Sequence, residues 1–119
     1  MMFIENYPDE IEFLSHFGID PVVVDKRDIN FGYVFHDNNG VELSFYFSVT
    51  GGWVDIEIKK ESSDIVSYST ENVFEILIDD DRRKNEKIIV LNIISEESLL
   101  NSRIVVSPYI KLNITSLVG

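Results

Sequence analysis

Two stretches near the middle of the chain alternate apolar and polar residues with a period of two, the pattern of half-buried β-strands. The first covers residues 41–49 and the second covers residues 53–59. A two-residue Gly51-Gly52 loop between them would pair Thr50 with Trp53 and form a hairpin. One face of this predicted hairpin is then apolar, and the other carries polar and acidic residues.

The two-residue loop fixes a register for this hairpin, because each residue of one strand then has a defined partner on the other. On the apolar face the predicted pairs are Val49 with Val54, Phe47 with Ile56, and Phe45 with Ile58. On the polar face they are Ser48 with Asp55, Tyr46 with Glu57, and Ser44 with Lys59.

A further strand is predicted over residues 31–36, joined to the central hairpin through Asp37-Asn38-Asn39-Gly40, where Asn-Gly is a strong hairpin signal. A two-residue or a four-residue loop here places Val34 and His36 on the core side. Tyr33 and Phe35 would then lie on the outer face of the sheet, together with Tyr46 and Trp53.

One amphipathic helix is predicted near the beginning of the chain, between Pro8 and Gly18. Asn6 or Tyr7 can cap it, Pro8 suits its first position, and Gly18 is a C-terminal stop signal. Its apolar face is predicted to comprise Ile11, Phe13, Leu14 and Phe17.

The remaining chain predicts more strands, at residues 22–25, 65–69, 73–79, 86–94, 104–106 and 109–115, with one or two helical turns within residues 95–102. The expected fold is α+β and mostly β, a single domain over residues 1–119. Its N-terminal helix is followed by a largely antiparallel meander of seven or eight strands. Whether the sheet is curved, closes into a half-barrel or folds into a sandwich is left open.

Composition favours a stable cytoplasmic domain. Apolar residues make up 45% of the 119 residues, which is too many for a disordered acidic tail. Cysteine is absent, so disulfides and thiolate metal sites are excluded. Residues 1–6 lack the features of a signal peptide, and no apolar run approaches the roughly 20 residues of a membrane helix.

Charge is distributed unevenly along the chain, which has a net charge of −11. Residues 1–58 contain 11 acidic residues against only Lys26 and Arg27, whereas residues 59–119 contain 10 acidic residues against 8 basic ones. A concentrated negative field attracts a basic protein and repels nucleic acid and anionic membranes. A basic protein is therefore the expected partner.

Catalytic signatures are weak. A serine triad would need a poised histidine; the chain has only His16 and His36, and no Gly-x-Ser-x-Gly motif accompanies them. The run Asp79-Asp80-Asp81 lacks the spacing of an EF-hand loop and reads as a solvated hairpin tip. Neither a metal nor a cofactor is expected.

One enzymatic alternative is a metal-dependent nuclease. Glu57 and Lys59, two residues apart on a strand, resemble the core of PD-(D/E)xK nucleases, with Asp37 as the upstream acid. The βαβ surroundings of that family are missing, and the nearby acidic residues would repel DNA. Ordinary solvated strand charges explain the same residues.

The predicted outer face of the central strands is the strongest candidate for a partner-binding site. Large aromatic residues beside acidic ones suit a basic protein, since rings supply buried area and carboxylates steer and pair with Lys or Arg. The alternative is that the helix or a second sheet covers this face. The proposed contact residues are Tyr33, Glu42, Tyr46, Trp53, Asp55 and Glu57.

A small, acidic, cysteine-free chain with alternating strands such as residues 41–49 and 53–59 resembles the immunity proteins of bacterial toxin systems, including contact-dependent growth inhibition. The resemblance lies in general character and rests on no shared motif. It implies a non-enzymatic cytoplasmic protein that binds a cognate basic toxin domain, often a nuclease, and occludes its active site. The sequence leaves the oligomeric state open, with a monomer as the expectation. A secretion chaperone, an adaptor or another interaction module remains an alternative.

Overall fold

The structure is a computed structural model that describes residues 3–61, 63–96 and 98–118, without the side chains of residues 115–118. These residues form one helix, α1 (Glu10–Phe17), and nine strands. The strands are β1 (Val23–Asp25), β2 (Asn30–His36), β3 (Val41–Ser48), β4 (Trp53–Lys60), β5 (Ser63–Thr70), β6 (Val73–Asp81), β7 (Glu86–Ser95), β8 (Ser98–Ser107) and β9 (Lys111–Val118).

The strands form two antiparallel sheets rather than one meander. The first sheet has the order β1-β2-β3-β4-β5, and the second has the order β6-β7-β8-β9. The prediction of a mostly β, antiparallel fold with one helix is confirmed, but the single sheet of seven or eight strands is wrong. Only Glu71 and Asn72 separate β5 from β6, and Asn72 has a φ of 60°, so the chain turns sharply from one sheet to the other there.

One predicted feature of the second sheet needs correction. Residues 95–102 were expected to include helical turns, yet β8 begins at Ser98 and pairs with β7. Leu99 and Leu100 lie opposite Ile94 and Ile93, so cross-strand apolar contacts outweigh the weak local helix signal there.

The hydrophobic core lies between the two sheets. Buried side chains of the first sheet, such as Phe45 and Ile56, share one cluster with Ile89, Leu91 and others from the second sheet. Each fully buried side chain of this size contributes about 1.5–3 kcal/mol. The inner faces of both sheets are therefore committed to folding, and the other side of the second sheet carries a small second cluster of Ile88, Val90 and Val105.

Helix α1 packs through Phe13 and Phe17, two of the four residues of its predicted apolar face. Phe13 is completely buried, and its ring stacks on that of Tyr33 with centroids 3.8 Å apart. Ile11 is 72% exposed and Leu14 is 49% exposed, so the prediction that they face the core is wrong. Among the described residues, no helix is long and apolar enough to cross a membrane.

The ends of α1 follow familiar capping rules, although its first residue differs from the prediction. Asp9, not Asn6 or Tyr7, caps the helix, because its Oδ1 accepts a hydrogen bond of 2.8 Å from the backbone N–H of Glu12. Gly18 ends it in the left-handed conformation, as predicted, with its N–H donating to the carbonyl of Leu14.

The segment before the helix ties the two sheets together. The N–H of Ile4 donates to the carbonyl of Val49 beside the first sheet, at 2.9 Å. The next N–H, that of Glu5, donates to the carbonyl of Phe74 on β6, at 2.8 Å. Since Ile4 is also buried, this short segment closes one side of the sandwich.

The hairpin of β3 and β4 is present, but its register differs from the prediction by two residues. Ser48 pairs with Trp53, Tyr46 with Asp55 and Ser44 with Glu57, so the loop spans four residues rather than two. Val49 leaves β3 because its N–H donates to the carbonyl of Ile29. A shift of two residues preserves both faces, since side chains alternate with a period of two.

Candidate partner-binding face

The loop between β2 and β3 decides which aromatic residues reach the surface. His36 pairs with Glu42, and the N–H of Asp37 donates to the carbonyl of Val41, which leaves the three-residue loop 38–40. Gly40 has a φ of 77°, the positive value that this loop type favours. An odd number of loop residues reverses the faces of β2 relative to both loops that were predicted.

Tyr33 and Phe35 consequently point into the core, so their predicted place on the outer face is wrong. Tyr33 lies opposite Phe45 and is only 1% exposed. Burial raises the pKa of the Tyr33 hydroxyl, and the negative charges of Glu10, Asp20 and Asp9 raise it further. A residue stacked beneath α1 supports the fold and cannot contact a partner directly.

The other five predicted contact residues share the outer side of β3 and β4. The register sets Tyr46 beside Asp55, and Trp53 and Glu57 lie two residues to either side of Asp55 on the same face. We call this surface the acidic-aromatic face; it comprises Glu42, Tyr46, Trp53, Asp55 and Glu57. Asp55 is exposed and the other four are half-buried, so all five remain accessible.

Two glycines leave room for the aromatic rings of the face. A Cβ atom added to Gly32 would lie 2.1 Å from both Cδ1 and Cε1 of Tyr46, so the Tyr46 ring covers the bare backbone there. A Cβ atom added to Gly51 would lie 2.7 Å from Cδ1 of Trp53. The N–H of Gly51 donates to Oγ of Ser48 at 3.0 Å, which helps to set this turn. Both rings therefore have a defined support before any partner binds.

The carboxylates of the face differ in how far the protein itself neutralises them. Glu57 lies 3.5 Å from Nζ of Lys59, and Glu42 lies 3.8 Å from Nε2 of His36. Within the described part of the chain, Asp55 has no ion pair; its cross-strand neighbours are Tyr46 and Ser69. Asp55 is therefore the carboxylate most available to a cation brought by a partner.

Val23 extends the apolar part of the face and was missed by the sequence reasoning. It lies opposite Gly32 on β1 and is 44% exposed. Its Cβ atom is 3.2 Å from the position that a Gly32 Cβ would take, so it lies beside the site of the Tyr46 ring. The run Val22-Val23-Val24 was the available signal, since neighbouring residues of a strand point to opposite faces and one of them must face outward.

Among the residues considered for a nuclease site, Glu57 and Lys59 form an ion pair, whereas Asp37 is occupied by backbone hydrogen bonds. Asp37 accepts hydrogen bonds at Oδ1 from the N–H groups of Asn39 and Val41, and at Oδ2 from the N–H of Ile110. Burial alone would raise the pKa of Asp37, but these hydrogen bonds, with the charge of Lys60, lower it below the usual range. Asp37 therefore connects the hairpin tip to the second sheet.

The remaining candidates have local partners. His16 lies 3.4 Å from Asp80, and Asp81 accepts from the backbone N–H groups of Arg83 and Lys84 at the tip of the β6–β7 hairpin. Across the residues that the structure describes, no group of three or more His, Cys, Asp or Glu residues could hold a metal ion.

A solved structure resembles this chain along nearly its whole length. No family model matches the sequence, and no curated protein matches it. A solved chain matches with a TM-score of 0.87 and 33% sequence identity, over 98% of this chain and 100% of the other. It belongs to the contact-dependent growth inhibition toxin–immunity protein complex from Klebsiella pneumoniae 342. The chain is therefore a member of the contact-dependent growth inhibition toxin-immunity proteins.

Proposed function

We propose that this protein neutralises a cognate toxin domain of a contact-dependent growth inhibition system by binding it through the acidic-aromatic face. The observation that carries the proposal is the match along nearly the whole chain to a member of a toxin–immunity complex. The toxin is a basic domain, and we infer a nuclease, because such an enzyme has a cationic cleft that carboxylates can occupy.

The geometry of the face supports different roles for the aromatic rings and for the carboxylates in binding. Trp53 and Tyr46 present rigid aromatic area near the β3–β4 turn, and such residues dominate the energy of many interfaces. Asp55 lies between these rings and Glu57, where it can pair with Lys or Arg of the partner. The rings supply retained affinity, and the net charge of −11 accelerates encounter.

Inhibition in this proposal is physical occlusion, so the protein itself performs no chemistry. The complex forms one to one with the toxin in the cytoplasm of the producing cell, and the free protein is a monomer. The partner is a protein, and neither nucleic acid nor membrane binds to the acidic-aromatic face. The carboxylates cover the catalytic cleft of the toxin without requiring direct mimicry of phosphates.

The decisive experiment uses the cognate toxin domain, obtained by co-purification with this protein from its host. The purified toxin is assayed on RNA and DNA with increasing amounts of this protein, and the complex is weighed by light scattering. We expect nuclease activity to fall to zero at one equivalent. A complex that forms while activity persists would refute occlusion, and a failure to bind would refute the whole proposal.

Charge-reversed variants locate the interface. Asp55→Lys combined with Glu57→Lys should slow association more than dissociation, because steering acts on encounter. The matched control is Glu71→Lys with Glu96→Lys, which makes the same charge change at two exposed residues outside the first sheet. Equal slowing by both pairs would mean that net charge alone matters and that the face is not the contact.

A further inference from the structure

One edge of the first sheet is open along a full-length strand. Strand β5 ends the order β1-β2-β3-β4-β5 and pairs only with β4. Along its other side, no strand of the described chain pairs with it, so alternate N–H and C=O groups face outward. The opposite edge strand, β1, has only three residues and offers a much shorter template.

One end of the open edge is protected against pairing with a further strand, and the other end is not. Ile58 pairs with Val66 and Lys59 pairs with Asp64, so Ile65 forms a bulge without a partner on β4. A bulge and a charge are the usual devices that prevent a further strand from pairing. Residues 66–70 contain neither a charged residue nor a proline, and their register with β4 is regular.

This unprotected segment adjoins the acidic-aromatic face. Ser69 lies opposite Asp55 and Ser67 lies opposite Glu57, so both serines point to the outer side of the sheet. A strand added beyond β5 would place alternate side chains about 10 Å from β4, two strand spacings away. Serine side chains are short, so a Lys or Arg at these positions can reach across them to the carboxylates.

Charge decides which strand can occupy the edge. A second copy of this chain would bring another net charge of −11 and its own Asp55 and Glu57 to the same place. Like charges across an interface oppose association, whereas a basic strand meets carboxylates. Resting on the function proposed above, we propose that a strand of the toxin domain, with Lys or Arg at alternate positions, pairs with residues 66–70 and extends the first sheet.

Amide hydrogen exchange of the complex, followed by NMR, tests the pairing directly. Strand addition should protect every second amide of residues 66–70, because only the outward N–H groups gain a partner. We expect at least about tenfold slower exchange at those amides in the complex. Binding that leaves these amides unchanged would overturn strand addition while leaving the proposed function intact. Absence of binding would overturn both.

A matched pair of substitutions tests the charge of the added strand. Ser67 is exposed on the outer side, and Lys and Glu are similar in size. We expect Ser67→Lys to raise the Kd by about tenfold, and Ser67→Glu to leave it within about threefold. Equal losses would indicate steric blocking and would overturn the basic strand. A dimer of the free protein in sedimentation equilibrium would overturn the choice of partner.

Discussion

Gly32→Ala should disturb the acidic-aromatic face although none of the five residues of the face is substituted. The added Cβ atom would lie 2.1 Å from two ring carbons of Tyr46, whereas ordinary contacts begin at 3.4 Å, so the ring must move by about 1.3 Å. Overpacking of this kind costs typically about 1–3 kcal/mol. We expect urea denaturation to show a loss of stability in this range, accompanied by weaker binding to the toxin domain.

A double-mutant cycle with Tyr46→Ala makes this expectation sharp. Without the ring, the nearest remaining neighbour of the new methyl group is Cβ of Val23 at 3.2 Å, a contact that a small shift relieves. Alanine is favoured over glycine in a strand by about 0.5–1 kcal/mol. Gly32→Ala should therefore stabilise the Tyr46→Ala protein while destabilising the native one. The same loss in both backgrounds would mean that Val23, the other neighbour, is responsible, and the reasoning about Tyr46 would be refuted.

Three other predictions follow from the same surface and from its support. Trp53→Ala should leave the fold intact, which a near-unchanged circular dichroism spectrum would show. It should cost about 2 kcal/mol of binding free energy, a roughly 30-fold rise in Kd measured by calorimetry. Unchanged affinity would remove Trp53 from the interface. Asp55→Asn should slow association about threefold at low salt, since a cation about 7 Å away contributes about 0.6 kcal/mol in water. Glu57→Gln should slow it less, because Lys59 already neutralises Glu57; stopped-flow rates showing the reverse order would contradict this. Asp37→Asn should cost about 1–3 kcal/mol at pH 7. Because the folded pKa of Asp37 is lowered, the stability that its carboxylate contributes is present above the unfolded pKa and is lost as pH falls through the folded pKa. The stabilities of the native protein and the variant should therefore converge in urea denaturation at acid pH. A gap that stays constant with pH would contradict this prediction.

The β3–β4 faces were predictable, whereas those of β2 were not. Alternation along β3 and β4 separates apolar from polar residues so cleanly that a register error of two residues changed neither face. In β2, Phe31, Val34 and Phe35 place apolar residues on both sides, so the pattern itself does not choose a face. The choice then depended on the loop, and a third loop residue moved Tyr33 inside.

The helix shows a similar limit. Four apolar residues lie on three sides of the eight-residue α1, and spacing alone favoured Ile11 and Leu14. Phe13 and Phe17 are the residues that pack, because rings against Tyr33 and Phe35 bury more area than aliphatic side chains would. Tertiary contacts of this kind are not visible in local periodicity.

Charge, composition and alternation were enough to indicate the class of protein and five residues of its candidate surface. They were not enough to indicate the second sheet. The division follows from the short connection at Glu71 and Asn72, where local sequence resembles any other turn. A turn can join two strands of one sheet or lead to another sheet. The packing of both apolar faces decides between these two outcomes.

The N-terminal segment, Ile4 and Glu5, bonds to Val49 beside the first sheet and to Phe74 on the second, and this affects the order in which the molecule assembles. Ile4 and Glu5 are synthesised before every strand, yet the carbonyl that Glu5 requires lies about 70 residues later in the chain. Contacts so distant in sequence slow folding, because a large loop must close before they form. On the ribosome this segment must wait until β6 emerges, so a newly made immunity protein completes its sandwich only after most of it has been translated.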